Sequence, residues 1–126
     1  MTTARIALAT LCVLGLAACA QTSVQPLSRT SFKVDTTAAP ACGPAGARNV
    51  AFRTAAIEVI RRGEDLFVIE GDQSGYDGWS GIHAQGMVVQ VVSPGSARAR
   101  DALSARRTLG PGWEEMVAEG TPITCT

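Results

Sequence analysis

"ACGPAGARNVAFRTAAIEVIRRG", residues 41–63, decides the fold, because it holds the strongest helical signal in the chain. Pro44 suits a first helical position, where the missing N–H has no intrahelical partner to lose. From Arg48 to Arg62, the side chains of Phe52, Ala55, Ala56, Val59 and Ile60 recur on one face at a period of about 3.6 residues. Arg48, Arg53, Glu58, Arg61 and Arg62 spread around the rest. Gly63 is the natural stop, since the residue after a helix C-cap usually takes positive φ. A helix with one apolar face needs an apolar surface to cover, and the flanking segments supply strands.

Working outward, "SFKVDT" (31–36) alternates Phe32 and Val34 with Lys33 and Asp35, the period of a half-buried edge strand. "DLFVIE" (65–70) is apolar on both faces, and "MVVQVV" (87–92) is nearly so apart from Gln90, as expected of central strands covered on both sides. These two are expected to pair antiparallel. Ser96 reads as an N-cap opening a second helix through "ARARDALSARRT", whose apolar face is Ala99, Ala102 and Leu103. "LGPG" (109–112) breaks it, and "WEEMVAEG" follows as a short third helix with Trp113, Met116 and Val117 on one side. The layout is β-α-β-β-α-α: an α+β fold with a small, mainly antiparallel sheet of about three strands packed by helices.

The chain has 126 residues and a formal net charge of +0, enough for one domain and without the basic excess that nucleic acid demands. Apolar residues make up 46%, but many are alanines, so the core must be modest. Phe32, Phe52, Phe67, Tyr76, Trp79 and Trp113 are the only aromatic side chains, which concentrates packing or recognition on each.

Arg5 followed by "IALATLCVLGLAA" (6–18) has the form of a signal peptide, 1–18, whose apolar run is too short to span roughly 30 Å of hydrocarbon. Leu16-Ala17-Ala18-Cys19 at its end resembles the lipobox of bacterial lipoproteins. The resemblance implies a diacylglyceryl group on the Cys19 thiol, cleavage before Cys19, and further acylation by a chain such as palmitate. More than one acyl chain is what stable anchoring requires. Cys12, behind bulky Leu11, reads as signal filler, and ordinary cleavage after Ala18 or Ala20 is the alternative. By the sorting rule of Gram-negative lipoproteins, Ala20 in place of aspartate directs the protein to the outer membrane, facing the periplasm, with the inner membrane as alternative. The mature domain is similar in plan to small uncharacterised Gram-negative envelope lipoproteins. No cofactor besides the covalent lipid is implied.

"AQTSVQPLSRT", within residues 19–30, reads as a flexible tether of roughly 35 Å when extended. Residues 31–126 then form a single periplasmic α+β domain. Cys42 and Cys125 remain, and in an oxidising compartment they read as one disulfide, against free thiols or a metal site short of ligands.

The densest chemistry lies in "GDQSGYDGWSGIHAQG" (71–86), expected to be a long mobile loop between the central strands. Tyr76, Trp79 and His83 are its candidate recognition residues. His83 with Asp72 or Asp77 could act as a general base toward Ser74 or Ser80, but no triad or elbow motif frames them. No catalytic residue is assigned, and the acidic spacing does not match a calcium loop. Arg61, Arg62, Arg98, Arg100, Arg106 and Arg107 are either a patch for anionic headgroups or an ion-paired face. Three functions remain: a non-catalytic interaction module for an envelope protein partner, a cell-wall or small-ligand binder using the 71–86 loop, and a hydrolase using His83.

Overall fold

Alternation of apolar and polar residues runs further along the chain than the obvious strand segments, and this sets the sheet. The computed structural model describes residues 19–125, so the signal segment 1–18, with Cys12 and the lipobox residues before Cys19, lies outside the described residues. The chain forms β1 (Ala20–Pro26), β2 (Ser31–Ala38), a 3-10 turn (Pro40–Cys42), α1 (Gly43–Arg61), β3 (Leu66–Tyr76) and β4 (His83–Val91). A second 3-10 turn (Ala97–Arg100), β5 (Leu103–Ser104), α2 (Ala105–Leu109) and α3 (Trp113–Glu119) complete it. The class is α+β, with a five-stranded sheet in the order β1-β2-β4-β3-β5 and every pairing antiparallel.

The expected count of about three strands and the order β-α-β-β-α-α are therefore corrected. β1 comes from the stretch read as tether. Ala20, Thr22 and Val24 turn toward the helix side and pair with Ala38, Thr36 and Val34. The hydroxyls of Thr22 and Thr36 bond across the two strands at 2.8 Å. β2 keeps its expected alternation but is an interior strand, because β1 occupies the edge.

α1 lies across β2 and β4 on one face of the sheet. Phe32, Val34, Phe67, Met87 and Val89 rise from the strands to meet Ala51, Ala55, Ala56, Ile57 and Val59 of the helix. Four alanines of α1 are at most 1% exposed, and their small side chains let the helix settle close to the sheet. Phe52 and Ile60 are partly rather than fully buried at the margin of this cluster. The stop at Gly63 is as expected: φ is +80°, the Gly63 N–H reaches the Ile60 carbonyl at 2.9 Å and the Glu64 N–H reaches Val59 at 3.1 Å. This is a Schellman closure, which satisfies carbonyls the helix end would leave open.

The long second helix expected from Ser96 does not form. Ser96 heads only a 3-10 turn, and Leu103–Ser104 pairs with Leu66–Phe67 instead of continuing a helix. Its three-residue apolar face was too weak to hold it against this pairing. α2 starts afresh at Ala105, with Ser104 accepting the Arg107 N–H. Cys42 and Cys125 form a disulfide with Cα atoms 5.8 Å apart.

Candidate functional site

The segment 71–86 is mostly sheet. β3 runs to Tyr76 and β4 begins at His83, so the connection is the turn 77–82 and not a sixteen-residue loop. Backbone pairing asks little of side chains, and after an irregularity between Ile69 and Gly71 the small and polar residues of β3 stay in register with β4. Gly71, Gln73 and Gly75 stand opposite Val88, Gly86 and Ala84 on the face away from α1. Asp72, Ser74 and Tyr76 stand on the helix side.

The polar groups of 71–86 with catalytic potential are occupied within the fold. Asp72 accepts hydrogen bonds from Arg48 of α1 and from the side-chain amide of Gln85. Ser74 donates to the Gln85 oxygen at 2.7 Å, and Gln85 is only 2% exposed. The network ties the N-terminal half of α1 to β3 and β4. Asp77 folds the turn: its carboxylate accepts the Ser80 hydroxyl at 2.7 Å and the Trp79 N–H at 3.1 Å. Those two bonds hold the Asp77 carboxyl below its ordinary range. His83 stacks on Tyr76 with ring centroids 4.9 Å apart. Ser74 and Ser80 thus spend their hydroxyl protons on Gln85 and Asp77, not on His83. Among the described residues no group of three or more His, Cys, Asp or Glu side chains is placed to hold a metal ion.

The register aligns a second feature. Ala20, Ala38, His83 and Tyr76 form one row across β1, β2, β4 and β3. Just outside this row lie exposed Cys19 and the turn 77–82. Cys19 bridges to Thr124, and its carbonyl accepts the Ala39 N–H at 2.9 Å. The turn rests on Pro40, so the 3-10 segment links it to the start of the disulfide. Trp79 is 98% exposed, whereas Phe32 and Phe67 are fully buried. Ile82 and Ile123, which nothing in the sequence marks as site residues, are also exposed at this end. Only the antiparallel register, which brings segments distant in sequence to one rim, could reveal them.

Four of the arginines are engaged individually within the fold. Arg98 pairs with Glu70 at 2.9 Å, Arg62 with Glu58 at 3.2 Å, and Arg61 reaches the Val117 carbonyl at 3.4 Å. The Arg106 guanidinium lies over the Trp113 ring, 5.0 Å from its centroid. No protein-family model, curated protein or solved structure matches the chain.

Proposed function

We propose that the protein is a bacterial envelope lipoprotein, acylated on Cys19 and held at the outer membrane facing the periplasm. Its disulfide-closed domain serves as a non-catalytic interaction module for an envelope protein partner. The observation that carries this reading is the position of Cys19: exposed, at the rim of the sheet, and one residue before β1. A thiol there is accessible to lipid without disturbing the core.

The occupied hydroxyls and carboxylates of 71–86 support a binding role over a hydrolytic one, since a nucleophile must be free to hand its proton to a base. The sheet face opposite α1 offers the module its surface, with Lys33, Asp35, Gln73 and half-buried Val88 standing on a floor that includes Gly86.

Mass spectrometry of the membrane fraction is expected to find an acylated N-terminal Cys19, and Cys19→Ser to block maturation. A Cys19→Ser chain that is still cleaved and tightly membrane-bound overturns the anchor. In vivo crosslinking of the anchored protein is expected to capture a stoichiometric protein neighbour. Retention on purified cell wall with no neighbour would move the module to the ligand-binding class, and loss of a measured hydrolysis in His83→Ala would make it an enzyme.

A further inference from the structure

If Cys19 carries lipid, the domain has no tether: β1 starts at Ala20, whose N–H is bonded to the Ile123 carbonyl at 2.9 Å. The rim of the sheet then meets the bilayer directly. That rim differs from the rest of the molecule in two independent ways. Its segments, 19–22, 36–43, 76–84 and 122–125, contain a single charged residue, Asp77, although Asp, Glu, Lys and Arg make up 17% of the chain. It also gathers Tyr76, Trp79, Ile82 and Ile123, four of the six large apolar side chains exposed among the described residues. The other two, Leu27 and Leu103, lie toward the opposite end of the strands.

We propose that this end is a bilayer-facing surface, and that the β3–β4 turn enters the headgroup layer through Trp79 and Tyr76 beside the acyl chains on Cys19. The proposal rests on the reading of Cys19 as the acylated residue. Indole and phenol rings favour the headgroup region, where an apolar body and a polar tip are both accommodated. β1 and β3 are three strand spacings apart along the shared row, roughly 14 Å, so anchor and turn reach the same membrane plane. Gly78 before Trp79 and Ser80 after it add little side-chain bulk, leaving the indole to project. The one carboxylate of the turn, Asp77, has its oxygens hydrogen-bonded by the Ser80 hydroxyl and the Trp79 N–H, which replaces part of the hydration it would lose beside a lipid surface. Desolvating a rim with one hydrogen-bonded carboxylate is cheaper than desolvating a heavily charged one.

The test uses the full-length protein purified from membranes and reconstituted into phosphatidylethanolamine vesicles with a minority of phosphatidylglycerol. Subtracting the fluorescence of Trp79→Phe from that of the wild type isolates Trp79, and leaves Trp113 in place. The expected result is a blue-shifted Trp79 emission, mostly lost when the lipids are brominated near the headgroup end of the acyl chains and protected from aqueous acrylamide. A water-like spectrum, equally quenched by acrylamide with and without vesicles, overturns the contact. So does a blue shift seen in native membranes but not in protein-free vesicles, which would assign the tip to a protein. Mass spectrometry of Cys19 in the same sample separates the two readings. Acylated Cys19 with water-exposed Trp79 removes the contact and keeps the anchor. Unmodified Cys19 with lipid-quenched Trp79 does the reverse, and failure of both removes both.

Discussion

Asp65 closes the start of α2 with its side chain and its main chain together. Its carboxylate accepts the Arg106 N–H at 2.9 Å and the Ser104 hydroxyl at 2.7 Å, while its carbonyl accepts the Ala105 N–H at 2.8 Å. With Ser104 taking the Arg107 N–H, the first three N–H groups of the helix are all satisfied. Burial alone would raise the Asp65 carboxyl. The hydrogen bonds from Arg106 and Ser104 and the charges of Arg106 and Arg107 outweigh it, so the group lies below the ordinary 3.8. A carboxyl depressed in the folded state contributes stability above its unfolded value, and that contribution is lost as pH falls through the folded value. Asp65→Ala is therefore expected to lower unfolding free energy by about 1–2 kcal/mol at neutral pH, measured in urea. The gap to wild type should narrow below pH 3.8. A gap that stays constant into strong acid would show that the carboxylate charge contributes nothing.

At the scale of elements, the β3–β4 hairpin depends on one glycine. Gly81 has φ +75°, and a Cβ there would stand 2.9 Å from Pro40 Cγ. Gly81→Ala would thus meet a disfavoured backbone angle and a clash at once, and is expected to cost about 1–3 kcal/mol. The loss should be local before it is global. Hydrogen exchange at Gly81, whose N–H donates to the Asp77 carbonyl at 2.8 Å, should speed up markedly while the amide of Phe67 keeps its protection. Equal acceleration at both would mean that the hairpin tip and the core open as one unit. The same element shows why a glycine-rich run is ambiguous in sequence. Gly71, Gly75 and Gly86 suit a mobile loop as well as a sheet whose outer face carries small residues.

The whole molecule is closed by the Cys42–Cys125 disulfide, which spans a sequence separation of 83 residues. In the chain-entropy account a loop of this size stabilises by about 4–5 kcal/mol. Cys42→Ser with Cys125→Ser is expected to lose most of that, seen as a large fall in the urea midpoint with little change in the folded circular dichroism spectrum. An unchanged midpoint would mean that the terminal segment is held by its other contacts alone. Gly46, whose added Cβ would lie 2.9 Å from Cys42 Cβ, shows how closely α1 packs on the bridge. α1, the core strand segments of β2, β3 and β4, the third helix and the cysteine pairing were legible, because each is written in a local period, a stop residue or a simple count. β1 was not, since Ala20, Thr22 and Val24 alternate with polar residues but carry too little apolar area to stand out. Nor was the break at Leu103–Ser104, where cross-strand pairing with Leu66–Phe67 overrides a helical composition. The sequence by itself determined that one amphipathic helix would cover an antiparallel sheet, because apolar periodicity commits each segment to a face. Only the tertiary structure decided that Cys19, Trp79 and Ile123 share one rim, because strand register alone carries that information, and register is a property of pairs.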